Sequence, residues 1–260
     1  MNILDQLADC ARQRVAAYRR EISDQELRAM ALAVPSPEFA FEKALAGGDI
    51  AFICECKKAS PSKGLIAPDF PFLEIARDYE AAGADAISVL TEPGWFLGRD
   101  AWLEEIARQA GIPVLRKDFT VDGYMIWQAR ALGASAVLLI CAICSPEELR
   151  DHIALADELG LSALVEAHDA GEVETALRAG ARIVGVNNRN LKDFSVDTDN
   201  SRRLRQLIPP GVLFVSESGV RDASDVRRLR EIGADAVLVG EALMRAKDRR
   251  AKLAELRGTS

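Results

Sequence analysis

The sequence has little of several features that would place it in other classes of protein. It contains two histidines and five cysteines, an odd number that supports neither a disulfide framework nor a rich set of metal ligands. Its net charge of −7 and pI near 5.1 argue against a nucleic-acid-binding protein, which would present a basic face. The longest nearly apolar stretch, residues 131–144, falls short of the roughly 18 residues of a membrane span.

The amino terminus, Met1-Asn2-Ile3-Leu4-Asp5, lacks the basic region and apolar core of a signal peptide. We therefore expect a soluble cytoplasmic protein without nucleic-acid or membrane partners. The sequence does not itself give the oligomeric state, and a monomer is the simplest expectation.

One cysteine pair, Cys141-Ala142-Ile143-Cys144, has the spacing of a redox or zinc motif. A single such pair without a second one is a weak signal, because a zinc site needs four ligands. We interpret the cysteines as small buried thiols and expect no metal.

Short apolar runs alternate with segments of helical periodicity along the chain, and glycines such as Gly83 and Gly133 precede several runs, as helix ends do. Because helical crossovers require parallel strands, eight such units predict an α/β fold, a (β/α)₈ TIM barrel. An open doubly wound sheet is the alternative, but the first run lacks a following Gly-x-Gly-x-x-Gly turn. The runs are residues 51–54, 86–90, 112–115, 136–140, 162–165, 183–186, 212–215 and 236–239.

No linker or low-complexity segment divides the 260 residues, so we expect one domain. Residues 1–46 precede the first run and carry an amphipathic pattern that predicts an extra helix packed on the barrel. The expected boundaries are 1–46 for this extension and 47–260 for the barrel.

The most informative segment is Glu55-Cys56-Lys57-Lys58-Ala59-Ser60-Pro61-Ser62-Lys63-Gly64, which follows the first apolar run. Residues two apart on a strand point to the same side, so Glu55 and Lys57 face one way together. They form either a structural pair or part of a polar cavity, and the following turn, rich in hydrogen-bond donors, favours the cavity.

Polar residues also follow other predicted strands, at the end where a barrel has its active site. Each alone would be interpreted as a solvated charge or an ion pair, but their gathering at one end favours a site. Arg116 and Asp118 allow two interpretations, because either of them can turn outward between the barrel and the helices and form a structural ion pair there instead of facing the site. The site candidates at these strand ends are Lys117, Glu166, Asn187, Arg189, Glu217, Ser218, Gly219, Gly240 and Glu241.

Two turns look suited to phosphate, Ser218-Gly219-Val220 and Gly240-Glu241-Ala242, because each leads into a predicted helix whose first N–H groups attract anions. Ordinary helix caps are the alternative interpretation. Ser60 is placed to reach the same phosphate. Apolar residues near the strand ends predict an aromatic ligand; they are Pro61, Phe96, Phe119, Leu138 and Leu191.

These motifs, in this order, resemble those of the indole-3-glycerol phosphate synthase family over essentially the whole chain. The resemblance is carried by the segment from Glu55 to Gly64, Ser88-Val89-Leu90-Thr91-Glu92, Val114-Leu115-Arg116-Lys117-Asp118-Phe119, Leu164-Val165-Glu166, Gly185-Val186-Asn187-Asn188-Arg189 and Ser216-Glu217-Ser218-Gly219-Val220. It implies a phosphorylated, anthranilate-derived substrate, 1-(2-carboxyphenylamino)-1-deoxyribulose 5-phosphate, and no cofactor.

The resemblance also implies roles. Lys117 matches the general acid, with a pKa that burial or nearby cations would lower, and Glu166 matches the base of the dehydration, with Glu55 nearby. Lys57 matches the lysine that meets the substrate carboxylate, and the division of acid roles between the lysines stays open. Glu217 and Asn187 match residues that hold the anilino nitrogen and the sugar hydroxyls.

Three positions depart from the family pattern: the turn Pro93-Gly94-Trp95, Asn190 in place of aspartate, and Glu241 where serine is frequent. A carboxylate would repel phosphate, so we expect the Glu241 side chain to turn away. Two other functions remain open from the residues, a Schiff-base aldolase with Lys117 as nucleophile and a catalytically silent phosphate sensor.

Overall fold

The computed structural model describes residues 3–190 and 194–259. Within them, eight parallel strands close into a barrel, each hydrogen-bonded to its neighbours along the chain. The predicted TIM barrel is thereby confirmed. The strands are β1 Ala51–Cys56, β2 Ala86–Leu90, β3 Val114–Lys117, β4 Ala136–Ile140, β5 Ser162–Ala167, β6 Ile183–Asn187, β7 Leu213–Glu217 and β8 Ala236–Val239.

Helices connect consecutive strands and form the outer layer. Their predicted starts at Asp122, Ser145 and Asp222 are confirmed, since each of these side chains accepts a hydrogen bond from a first-turn N–H. None of the helices in the described ranges is long and apolar enough to cross a membrane. The connecting and terminal helices are α4 Phe72–Ala81, α5 Asp100–Gln109, α6 Gly123–Ala131, α7 Pro146–Glu158, α8 Ala170–Arg178, α9 Asp199–Arg205, α10 Ala223–Glu231, α11 Glu241–Met244 and α12 Arg249–Arg257.

The amino-terminal extension holds three helices in its described part, where the sequence predicted one: α1 Ile3–Glu21, α2 Asp24–Ala33 and α3 Ala40–Leu45. A capping box between Ser23 and Glu26 starts α2 directly after α1 ends, so the helical pattern continues with a change of direction. Helix α3 covers the amino-terminal end of the barrel, where the N–H of Glu42 donates to Ser162 Oγ at 3.1 Å.

Two cores follow from the alternation along each strand. In β1, Phe52, Cys54 and Cys56 pack outward against the helices, whereas Ala51 and Ile53 pack inside the barrel. The inner core continues into buried residues of α1 and α3, so the extension shares the barrel's hydrophobic interior.

The cysteines are mostly the buried thiols that the sequence predicted. Cys54, Cys56 and Cys141 are buried, but the prediction is wrong for Cys10, which lies exposed on α1. Burial raises the pKa of Cys141 to about 12, so its thiolate is scarce at neutral pH. Within the described ranges, no three histidine, cysteine or acidic side chains group as metal ligands would.

Arg116 is the outward-facing charge that alternation required. It is 1% exposed and donates to Asp100 Oδ1 at 2.9 Å and to the Met125 carbonyl at 2.9 Å. Its neighbour Asp118 is also buried and accepts from Arg14 of helix α1 at 2.6 Å. These ion pairs attach the helical layer and the extension to β3 beside Lys117.

Replacing Arg116 by methionine is expected to lower the free energy of unfolding by about 3–5 kcal/mol, because buried acceptors and Asp118 lose their cation. Urea unfolding followed by circular dichroism measures this. The matched control is Arg178→Met, which removes an exposed ion pair with Glu174 and should change the same quantity by less than about 1 kcal/mol. Equal effects in the two variants would contradict a structural role for the Arg116 network.

Candidate active site

A cavity of about 750 Å³ opens at the carboxyl end of the barrel. Every predicted site residue within the described ranges lines it, while Leu191 lies outside the described residues. The strand ends therefore bring together residues that lie far apart in sequence. These lining residues are Glu55, Lys57, Ser60, Pro61, Phe96, Lys117, Phe119, Leu138, Glu166, Asn187, Arg189, Glu217, Ser218, Gly219, Gly240 and Glu241.

The ammonium group of Lys117, at the end of β3, lies between two acids that line the cavity. Its Nζ lies 3.4 Å from Glu166 Oε2 and 3.5 Å from Glu217 Oε2, and both carboxylates are almost fully buried. Gly185 leaves the space for this arrangement, since a Cβ there would lie 2.2 Å from Glu217 Oε1. A side chain at this position of β6 would therefore displace the Glu217 carboxylate.

The pKa of Lys117 differs from the expectation. Burial by itself lowers this pKa, but the charges of Glu166, Glu217 and Glu55 raise it above its usual range. The prediction of a lowered pKa is therefore wrong, because the neighbours of Lys117 are anions rather than cations. Lys117 is an ammonium group at neutral pH.

The two carboxyl groups beside Lys117 differ in pKa. Burial raises the pKa of Glu217, and the nearby charges of Glu166 and Glu55 raise it further. Burial also acts to raise the pKa of Glu166, but Lys117 and His168 hold it below its usual value. A pair of acids with such opposed environments is suited to separate acid and base roles.

Glu55 and Lys57 form an ion pair with each other inside the cavity. The sequence left open whether Glu55 and Lys57 form a structural pair or belong to a polar cavity. They do both, because they pair with each other inside the cavity. Gly240, at the end of β8, lies against the pair, and a Cβ there would come within 2.3 Å of Glu55 Oε2. A side chain at position 240 would therefore displace the Glu55 carboxylate or the Lys57 ammonium group.

Apolar side chains form another part of the cavity lining, here called the apolar wall. The rings of Phe96 and Phe119 lie 6.0 Å apart between centroids, and Leu138 continues the surface. The turn Pro93-Gly94-Trp95 keeps Phe96 in place because the Glu92 carboxylate accepts from the N–H groups of Gly94, Trp95 and Phe96. The buried Glu92 carboxylate thus fixes the backbone of the turn that carries Phe96.

The remaining corner of the cavity carries anion-binding features. Ser60 and Gly219 line the cavity, as does Glu241 in the first turn of α11, and no side chain of the described residues caps this turn. In α10, by contrast, the Asp222 side chain accepts from the N–H groups of Ser224 and Asp225, so these two donors are already paired.

Glu241 forms two ion pairs at this corner. Its carboxylate pairs with Lys63 at 3.3 Å and with Arg245 at 3.2 Å, and both cations line the cavity. The two cations neutralise the carboxylate of Glu241, a residue that stands where serine is frequent in the family. Neither was among the predicted site residues.

His168 is another residue that the sequence analysis missed. Its Nε2 lies 3.4 Å from Glu166 Oε1, two residues beyond Glu166 on the same strand end. Residues two apart on a strand point to the same side, which is why Glu55 and Lys57 were expected to face the cavity together. The same spacing of Glu166 and His168 could have identified His168 as a site residue.

Comparison with known proteins points to one family. A family model described as indole-3-glycerol phosphate synthase matches residues 4–256. A protein of that name from Ruminiclostridium cellulolyticum is 56% identical over 260 residues, covering 99% of this chain and all of its own. Another from Leuconostoc mesenteroides is 51% identical and covers 98% of this chain and 99% of its own.

Solved structures with low sequence identity share the fold. The 3-hexulose-6-phosphate synthase of Salmonella typhimurium has a TM-score of 0.65 at 17% identity and covers 81% of this chain and 98% of its own. A chain of the tryptophan synthase complex of Pyrococcus furiosus has a TM-score of 0.60 at 16% identity, with the same coverage of both chains. These structures support the barrel alone.

The shared ammonium yields a prediction about titration. In Lys117→Met, the pKa of both Glu166 and Glu217 should rise, because the cation that favours each carboxylate form is removed. Side-chain ¹³C NMR of glutamate-labelled protein measures both values, with Lys43→Met at the far end of the barrel as the control. Unchanged values in Lys117→Met would show that Lys117 does not set the charge of this centre.

Proposed function

The chain belongs to the indole-3-glycerol phosphate synthase family, and we propose that the residues around its cavity carry out the reaction of that family as follows. The substrate is 1-(2-carboxyphenylamino)-1-deoxyribulose 5-phosphate. A carboxy-lyase reaction of tryptophan biosynthesis closes its second ring, releases carbon dioxide and then water, and yields indole-3-glycerol phosphate. The observation that carries the proposal is an ammonium group within 3.5 Å of two buried acids, in a cavity that two phenylalanine rings also line.

The two ends of the cavity suggest how the substrate lies. Its phosphate fits the corner formed by Ser60, Gly219, Gly240 and the first turn of α11, where backbone N–H groups and nearby cations favour an anion. Its anthranilate ring fits the wall of Phe96 and Phe119, and its carboxylate then faces Lys57. The sugar carbonyl lies between these ends, beside Lys117.

Ring closure joins the aromatic carbon that carries the carboxylate to the sugar carbonyl carbon. The carbonyl oxygen takes up the electron pair and receives the proton of Lys117, whose raised pKa keeps that proton available at neutral pH. The ring-closed cation then accepts the electron pair of the bond to the carboxylate as carbon dioxide leaves. Because the intermediate itself accepts these electrons, the step needs no cofactor.

Dehydration follows. The new hydroxyl leaves as water with a proton from Lys57, the second ammonium group in the cavity, and Glu166 removes the proton whose loss completes the indole. Glu166 suits this role because Lys117 and His168 keep it ionised despite burial. Glu217, whose pKa is raised, can donate to the substrate's hydroxyls, and its buried Oε1 has no hydrogen-bond partner among the described residues. Asn187, at the end of the adjacent strand β6, holds the same part of the substrate together with Glu217.

The aldolase alternative finds less support. A Schiff base requires Lys117 as a free amine, and the three surrounding acids favour its ammonium form instead. Trapping of a substrate adduct on Lys117 by borohydride would favour that alternative. We further propose that the protein is a monomer and acts in the cytoplasm. Its molecular mass in solution tests the monomeric state.

Replacing Lys117 by alanine should lower kcat by roughly 10²–10⁴-fold, the usual contribution of a positioned general acid. Indole fluorescence after mixing with substrate measures turnover, with a chelator present and circular dichroism confirming folding. Lys43→Ala is the matched control. Turnover that survives in Lys117→Ala but is lost in Lys57→Ala would move the ring-closure acid to Lys57.

Removing the charge of Glu241 should strengthen phosphate binding. In Glu241→Gln, Lys63 and Arg245 lose their carboxylate partner and become available to the phosphate, so KM should fall by about 5- to 30-fold, the effect of 1–2 kcal/mol in binding. Steady-state kinetics and competition by inorganic phosphate measure this, with the exposed Glu174→Gln as control. A raised KM would show that Glu241 organises the corner rather than competing for its cations.

A further inference from the structure

His168 lies between the buried site and the surface, in contact with an acid on each side. Its Nε2 lies at an ion-pair distance of 3.4 Å from Glu166 Oε1 without a hydrogen bond between them, and its Nδ1 lies 3.0 Å from Glu172 Oε2 in the first turn of α8. Glu166 is thereby placed between two cations, with His168 on one oxygen and Lys117 on the other at 3.4 Å. The side chain of His168 is 19% exposed and that of Glu172 23%.

Helix capping alone does not account for this arrangement. Glu172 Oε2 accepts from the backbone N–H of His168 at 2.7 Å, and this contact would exist with any residue at position 168. The carboxylate additionally holds the imidazole, whose other nitrogen turns to the active site. The carbonyl of His168 accepts from Asn200 of α9, which further restricts the position of the residue.

The charged groups that face His168 come from several elements. Glu166 lies on its own strand, Glu172 on α8 and Glu217 on β7, while Lys117 on β3 lies beyond Glu166. Burial lowers the pKa of His168, but the three acids outweigh it and raise this pKa to about 8. The imidazole is therefore mostly cationic at neutral pH.

In the proposed reaction, Glu166 needs the imidazolium of His168 as a second cation. When Lys117 transfers its proton to the substrate, Glu166 loses the ammonium charge on Oε2. A buried carboxylate without a cation takes up a proton and can no longer act as a base. A cation on the other oxygen that does not itself donate to the substrate prevents this.

We propose that His168, held as an imidazolium by Glu172, is a positioning residue that keeps Glu166 an oriented carboxylate after Lys117 has given up its proton. The inference rests on the proposed role of Glu166 as base. It assigns His168 no contact with the substrate, because its effect is exerted through Glu166.

NMR of the imidazoles tests the charge state without reference to activity. The chain has two histidines, so a His152→Gln variant assigns the signals. His168 should titrate above the usual value, and in Glu172→Gln its pKa should fall by about one unit or more, because the amide keeps the backbone hydrogen bond but not the charge. A His168 that titrates at or below the usual value of a histidine would overturn the proposal.

Kinetics of wild type, His168→Gln, His168→Lys and His152→Gln test the effect on Glu166. In His168→Gln, kcat should fall roughly 10- to 100-fold, part of what a general base contributes. The acidic limb of its pH profile should move upward, because Glu166 protonates at higher pH without the cation. His168→Lys should restore the limb, and His152→Gln should match wild type.

The possible outcomes distinguish a failure of the proposed role of His168 from a failure of the proposed function. A loss of kcat with no shift of the acidic limb would mean that His168 only supports the fold, and the proposal would fail. An unchanged His168→Gln enzyme would also overturn it. Absence of turnover in the wild type would instead refute the proposed function, on which the inference depends, whatever the NMR titration shows.

Discussion

One ammonium group, Nζ of Lys117, holds the charged centre of this protein together. It lies within 3.5 Å of two carboxyl groups that are buried at the carboxyl end of the barrel. Two acids so close cannot both remain ionised without a cation, and burial makes each ionised form more costly. Burial and the charges of Glu166 and Glu55 raise the pKa of Glu217 although Lys117 lowers it, whereas Lys117 and His168 outweigh burial and hold the pKa of Glu166 below its usual value.

The strand that carries Lys117 also anchors the surrounding structure. Alternation along β3 turns Lys117 into the cavity and Arg116 outward, where Arg116 binds the helical layer and Asp118 binds Arg14 of the extension. A single short strand thus links the ammonium group of Lys117 to the buried charges of Arg116 and Asp118. The position of Lys117 depends on this network, since a shift of β3 would break contacts on both of its faces.

Much of the fold and site could be predicted from local patterns. Apolar runs marked the strands, and polar residues at their carboxyl ends marked the cavity, because parallel strands place these ends together. The same alternation would have found His168, but a lone histidine after a strand was not connected with Glu166. The number of helices in the extension was missed, because an amphipathic pattern shows a buried face without showing where the chain turns.

The sequence by itself determined the barrel, the order of its strands and the residues that face its carboxyl end, because these depend on periodicity and chain connectivity. The tertiary structure alone decided the charge states. Lys117 proved more basic than usual rather than less, and Glu241 proved to be paired with Lys63 and Arg245. Such properties depend on distances of 3–4 Å between groups far apart in the chain, and electrostatic energy at that range is set by three-dimensional position and burial.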